Sequence, residues 1–166
     1  MSATDDYVAN NTRHAEAFAP GESLTASPRR RTAIVTCMDS RIDLFSVLGL
    51  QTGDSHIIRN AGGVVTDDVI RSLVISQRLL GTREVVVILH TGCGMLAFRD
   101  HELHDDIERE TGLRPHFAFE SFTDLDDAAV ESVLRVRRSP FLPHRASVRG
   151  FVYDVDTGRL REVAPG

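Results

Sequence analysis

Short apolar runs alternate with amphipathic segments over most of the chain. Thr32-Ala33-Ile34-Val35-Thr36 is apolar and β-branched, which predicts a buried strand, and Cys37 stands at its C-terminal end. Ile42 to Leu48 has the spacing of a short amphipathic helix stopped by Gly49. His56-Ile57-Ile58-Arg59 predicts a second strand, followed by the loop Asn60-Ala61-Gly62-Gly63. Thr66 caps the next helix, with Asp67 and Asp68 in the first turn, where the helix dipole favours acids. Apolar positions 69, 70, 73, 74 and 80 follow at helical spacing, and Gly81 is the expected stop. Glu84 to Leu89 predicts a third strand, continuous in apolar residues as a central parallel strand is, and His90-Thr91-Gly92-Cys93-Gly94 follows it directly. Residues 99–110 predict a charged helix ended by Gly112, residues 115–119 a fourth short strand, and Asp124 to Arg137 a further helix between Thr123 and Pro140. The tail alternates about Val148, Gly150 and Val152, then turns at Asp156-Thr157-Gly158 towards Leu160 and Val163, a β-hairpin signal.

The N-terminal segment differs from the rest. Residues 3–18 carry only Tyr7, Val8, Ala15 and Phe18 among polar neighbours, which predicts a helix or arm too sparse in apolar residues for a core and suited to a partner subunit. Pro20 and Gly21 are its expected end, and a polar linker runs on to Pro28.

Strands alternating with helices place the chain in the α/β class: a mainly parallel central sheet flanked by helices, with a C-terminal β-hairpin and an N-terminal helical arm. Its 166 residues suit a single domain, 1–166, with 1–28 as arm and linker. Such a domain buries about two-thirds of its unfolded surface and needs no disulfide. In sheets of this kind ligands bind beyond the carboxyl ends of the strands. Cys37 and Cys93 both fall there.

Composition narrows the chemistry. All 19 basic residues are arginine, which excludes a Schiff-base lysine, a phosphate-loop lysine and a lysine general base. A formal charge of −5 argues against a dedicated nucleic-acid binder; the only basic clusters are Arg29-Arg30-Arg31 and Arg135/Arg137/Arg138. No apolar run approaches a bilayer span, and acidic Asp5 and Asp6 replace the apolar core of a signal peptide. A cytoplasmic location is expected, with no membrane partner.

Cys37, His90 and Cys93 offer two thiolates and an imidazole at adjacent strand ends, a set that suits tetrahedral zinc. Three protein ligands leave a fourth position for water, the mark of a catalytic site. Gly92 and Gly94 are expected to let the second loop turn sharply. Beside the first cysteine, Asp39 and Arg41 can form a guanidinium–carboxylate pair. The segment His101-Glu102-Leu103-His104 has histidines three apart, not four, and reads as ordinary surface.

Three motifs in order, Cys37-x-Asp39-Ser40-Arg41, Arg59-Asn60-Ala61-Gly62-Gly63 and His90-x-x-Cys93-Gly94, make the chain resemble the β-class carbonic anhydrases, in particular the short bacterial or mycobacterial type. The resemblance runs from about residue 30 to the C-terminal hairpin. It implies one zinc per subunit on Cys37, His90 and Cys93, and reversible hydration of carbon dioxide by zinc-bound hydroxide. It implies an Asp39–Arg41 dyad, with Asp39 able to take the fourth zinc position in a closed state. Gly62, Gly63 and Gly94 are the implied substrate contacts, and a homodimer or dimer of dimers the implied assembly. Two thiolates neutralise the ion, so water is less acidified than at a three-histidine site, yet its pKa still falls from ~16 toward ~7–9. The same scaffold admits hydrolysis of carbonyl sulfide or carbon disulfide, or a non-catalytic zinc or bicarbonate-binding role. Two departures stand out. The segment Ser27 to Thr36 lacks the glutamine that many members use to orient substrate, and the absence of tryptophan removes the usual non-catalytic bicarbonate site.

Overall fold

The computed structural model describes residues 2–19 and 24–165. Five strands make one sheet: β1 (Thr32–Cys37), β2 (Ser55–Asn60), β3 (Glu84–His90), β4 (Val148–Tyr153) and β5 (Leu160–Val163). Their order is β2-β1-β3-β4-β5. The first four are parallel and β5 returns antiparallel on β4. The helices are α1 (Ala3–Ala17), α2 (Leu44–Leu48), α3 (Asp67–Arg78), α4 (Asp100–Thr111) and α5 (Leu125–Arg138). Among the described residues no helix is long and apolar enough to cross a membrane.

The alternation of side chains along β1, β3 and β4 gives the sheet two different faces. Ala33, Val35, Val85, Val87, Leu89, Val148 and Val152 point to one face and pack under Leu73 of α3 and Ala129, Val133 and Val136 of α5. Helix and sheet meet closely there: a Cβ on Gly150 would lie 2.7 Å from a methyl of Val133. The other face presents Ile34 and Ile88, joined by Cys37, Ile42, Leu44, Cys93 and Met95, with Ile57, Val86 and Phe151 only half-buried.

Several boundaries follow from caps. α2 starts at Leu44, two residues later than expected, because the Asp43 carboxylate accepts from the N–H groups of Phe45 and Ser46 at 3.2 and 3.4 Å. Gly49 ends it in the left-handed region. Thr66 caps α3, which ends at Arg78; Gly81 (φ +76°) lies further on in the turn, and position 80 is outside the helix. α1 forms as expected and buries none of its residues. Its expected stop at Pro20 and Gly21 lies outside the described residues.

Residues 115–119 are not a strand. The backbone N–H groups of Phe119, Glu120 and Ser121 donate to the Asp100 carboxylate at 2.8, 3.0 and 2.8 Å, so the chain leaving the segment is held by α4 rather than by a neighbouring strand.

Candidate metal centre

β1 and β3 are neighbours, so their ends bring Cys37 and His90 together, and three residues past β3 the chain turns back with Cys93. Gly92 makes that turn at φ +63°. Gly94 does not share the role: its φ is not positive, and it opens a single 3-10 turn. The ligand atoms of Cys37, His90 and Cys93 lie within 4.8 Å of one another, and all three side chains are buried.

His90 is oriented from behind. Its Nδ1 lies 2.9 Å from the Thr91 carbonyl, which can only accept, so Nδ1 carries the proton. Nε2 is left with its lone pair, buried and without a hydrogen-bond partner. A buried acceptor with no partner is costly, and a metal ion held with the two sulfurs would satisfy it. The donor set therefore fits a soft or borderline divalent ion.

The two thiols titrate together: sharing one hydrogen bond, the pair gives up its first proton readily and holds its second. The Cys93 thiol hydrogen-bonds to Cys37 and holds Cys37 well below the usual thiol range, against the opposing effect of burial. The backbone N–H groups of Asp39 and Gly62 act in the same direction. The same bond, with burial, pushes Cys93 up.

Asp39 and Arg41 form a tight pair. The Arg41 backbone N–H and Nε donate to Asp39 Oδ1 at 2.9 and 3.0 Å, and Nη2 donates to Oδ2 at 2.7 Å. Nη2 also donates to the Gly92 carbonyl at 3.0 Å, which ties the first cysteine turn to the second. Those bonds, the guanidinium's first and the backbone's second, hold the Asp39 carboxyl well below the usual carboxylate range. Oδ2 faces His90 Nε2 at 3.7 Å. The Cys37–His90–Cys93 group leaves Asp39 out: its carboxylate is on Arg41.

The carbonic anhydrase family model matches residues 32–160. The chain belongs to the carbonic anhydrase family, in its β class. It is 50% identical to beta-carbonic anhydrase 1 of Mycobacterium tuberculosis, over 99% of this chain and 100% of that one. The carbonic anhydrase of Streptococcus mutans superposes with a TM-score of 0.88 at 44% identity, covering 98% of each chain. A carbon disulfide hydrolase from an Acidianus species is 33% identical over 95% of this chain and 89% of its own.

In this β-carbonic anhydrase the middle motif supports the site rather than supplying ligands. Arg59 donates to the carbonyls of Cys37, Ile42 and Asp39 at 2.9, 3.2 and 2.7 Å, fixing the path of the 37–42 turn. The sequence marks Arg59 only as part of a motif; the one local hint is a cation ending an apolar strand. Gly63 (φ +71°) lies so close to β1 that a Cβ would sit 2.6 Å from the Cys37 nitrogen. Gly62 (φ +81°) is enclosed by Met95 and Phe122. Gly94 has open space where a side chain would go. Neither glutamine reaches this edge of the sheet: Gln51 donates its backbone N–H to Asp54, ahead of β2, and Gln77 is bound to His144. His104 is a structural residue, bonded to the carbonyls of Asp100 and Phe117, and His101 is exposed.

Proposed function

We propose that this chain catalyses the reversible hydration of carbon dioxide to bicarbonate and a proton, with one zinc ion held by Cys37, His90 and Cys93. The observation that carries the reading is the convergence of that buried group with an arginine-held carboxylate whose Oδ2 is 3.7 Å from the unpartnered His90 nitrogen. Zinc supplies a Lewis acid that lowers the pKa of water toward the working pH. Asp39 accepts the hydrogen bond of the attacking water and turns its lone pair toward carbon dioxide. Arg41 keeps that carboxylate ionised and fixed in direction, a task suited to a planar fork rather than a point charge. Arg59 holds the turn that carries both. The proton released on forming bicarbonate passes to buffer. Asp39 is also the candidate fourth ligand once Arg41 lets it go. With no glutamine at this edge, backbone groups of Gly62 and Gly94 are the candidates to orient bicarbonate, and Gly63 serves close packing against β1.

We take the chain as a homodimer. The exposed Tyr7 and Val8 of α1 and the half-open sheet face, with its hollow of about 300 Å³ lined in part by Ile34, Val86 and Phe151, are the apolar surfaces that support this reading. A cytoplasmic location fits two free thiols used as ligands.

The test is stopped-flow carbon dioxide hydration beside a sulfide-release assay, with zinc measured in the same sample. Asp39→Ala should lower hydration by about 10²–10⁴-fold with zinc retained; unchanged turnover would remove Asp39 from the mechanism. The Acidianus relative motivates the second assay, and sulfide release without hydration would transfer the site to carbon disulfide or carbonyl sulfide. Zinc without either activity would make the chain a binding protein.

A further inference from the structure

The two arginine clusters of the sequence separate in the fold. Arg29 and Arg30 both pair with Asp54, at 3.0 and 3.2 Å, and Arg135 pairs with Asp67 and Glu120 at 2.8 and 3.3 Å. Their neighbours Arg31 and Arg137 have no carboxylate partner among the described residues. Arg31 precedes β1, Arg83 precedes β3, and the loop 143–147 precedes β4, so three parallel strands begin at one edge, at the opposite end from the metal centre. Two hollows there, of about 690 and 370 Å³, share Arg83 and His144. Arg137 and Arg145 line the first and Arg31 the second, and no carboxylate lines either. Glu84, next to Arg83, lines the groove on the half-open sheet face with Arg149.

We propose that this edge is a binding site for a small polyphosphate anion, inorganic or carried on a nucleoside, held by Arg31, Arg83, Arg137 and Arg145 beside His144. The loops that carry these cations are tied to one another. The Arg31 carbonyl accepts from the N–H of Arg83 at 2.7 Å, and Arg31 itself sits at φ +53°, in a turn closed by its own N–H on the Pro28 carbonyl. Buried Gln77 clamps the backbone of His144 from both sides, at 2.9 and 3.0 Å. Arg137 spends one donor on the Val148 carbonyl and Arg145 one on Ser139, which leaves most of their N–H groups for a ligand. Guanidinium forks match phosphate oxygens two at a time. Cations spread over two adjoining hollows match a chain of phosphates better than a single one. A long nucleic acid is disfavoured: the chain is net acidic, and α4 alone carries Asp100, Glu102, Asp105, Asp106, Glu108 and Glu110.

The experiment is calorimetric titration of the zinc-loaded chain, at physiological ionic strength without magnesium, with inorganic tripolyphosphate, ATP and orthophosphate. Tripolyphosphate and ATP should bind once per chain and orthophosphate at least tenfold more weakly. ATP binding tighter than tripolyphosphate means that the nucleoside is read as well; equal affinity means that the phosphate chain alone is read. Arg83→Ala with Arg145→Ala should weaken both at least tenfold while hydratase activity and zinc content stay unchanged. Arg71→Ala with Arg109→Ala, the same change in net charge at remote ion pairs, should leave binding as it was. If the double variant does not fold, Arg145→Ala alone should give a smaller loss of the same sign. Equal loss in the two double variants, or no binding at this ionic strength, would reduce the edge to diffuse attraction and overturn the proposal. So would a DNA duplex that binds through the same arginines more tightly than ATP.

Discussion

The two faces of the sheet are held together in different ways. Under α3 and α5 the face is closed: Leu73, Ala129, Val133 and Val136 are fully buried over Ala33, Val35 and Val87. Removal of apolar area from water dominates there, with few polar ties such as the Val65 N–H donating to the buried Ser132 hydroxyl at 3.2 Å. The other face is covered by the five residues of α2 and by the chain around Met95, and leaves Val86 and Phe151 half-buried. It is held instead by polar ties: Arg59 to three carbonyls, Arg41 to Asp39 and Gly92, and Asp100 to three N–H groups. The chemistry sits on this second face. A site needs fixed polar groups with free valences, and a face sealed by aliphatic packing offers none.

The sharpest way to break the comparison is at the join between the faces. Gly63→Ala forces a left-handed φ on a residue with a side chain and drives a Cβ to 2.6 Å from the Cys37 nitrogen and 2.8 Å from the Thr36 carbonyl carbon. Neither contact is a flexible side chain, so β1 must shift. The expected cost is about 4 kcal/mol, from overpacking and backbone strain together. Zinc occupancy should fall with stability, because the shifted atom belongs to a ligand's own backbone. Thermal melting with metal analysis checks it; a variant that melts like the parent would show that β1 can shift away from the turn without harm.

Leu73→Ala tests the closed face alone. The side chain is fully buried in the aliphatic core, and its loss should cost about 3 kcal/mol through transfer and cavity effects. Zinc content and turnover of the molecules still folded should not change. If turnover falls out of proportion to the folded fraction, the faces are coupled more tightly than their packing indicates.

What could be read from the sequence follows the same division. β1, β3 and α3 were legible because burial on both sides of a strand, or on one stripe of a helix, leaves a periodic record, and Thr66 marks a helix start locally; the cap at Asp43 was missed, and α2 was expected two residues early. The metal ligands were legible because Cys37 ends one apolar run and His90 follows another. The strand expected at 115–119 failed because apolar Phe117, Ala118 and Phe119 imitate one, while Asp100, which takes the N–H groups of Phe119, Glu120 and Ser121, lies about twenty residues away. The support given by Arg59 to Cys37, Asp39 and Ile42, and the convergence of Arg31 with Arg83 and Arg145, are likewise products of the strand order. Apart from the cation at the end of an apolar run at Arg59, no local pattern records them.

Asp100 gives a smaller effect and one that depends on pH. Burial disfavours its charge, but the Ser121 side chain and the N–H groups of Ser121, Glu120 and Phe119 outweigh that and lower its pKa. A carboxyl depressed on folding contributes stability above its unfolded pKa, and loses it as pH falls through the folded value. The contribution should be present at neutral pH and fade below about pH 4. Asp100→Asn should therefore cost about 1–2 kcal/mol at pH 7 and almost nothing in acid. Denaturant unfolding at both pH values measures the difference; an equal cost at the two would mean that shape, not charge, pins the loop.

The smallest effect on the fold, and the most informative about the open face, is expected from Val86→Arg. Val86 is half-buried and lines the hollow beside Ile34 and Phe151, where no element among the described residues covers it. A long arginine stem can lie along that surface with its head in water, so the folded monomer should lose no more than about 0.5 kcal/mol. A second chain seated on the same face would instead meet a buried, unpaired guanidinium, which is strongly unfavourable. Sedimentation velocity should then show the parent as two chains and the variant as one, with zinc retained in both. A variant that still sediments as the parent does would place the subunit contact elsewhere, and the half-open face would need another reason for its exposed valine and phenylalanine. The equivalent change on the closed face, Val133→Arg, cannot separate these cases, because it would unfold the core before any partner could be displaced.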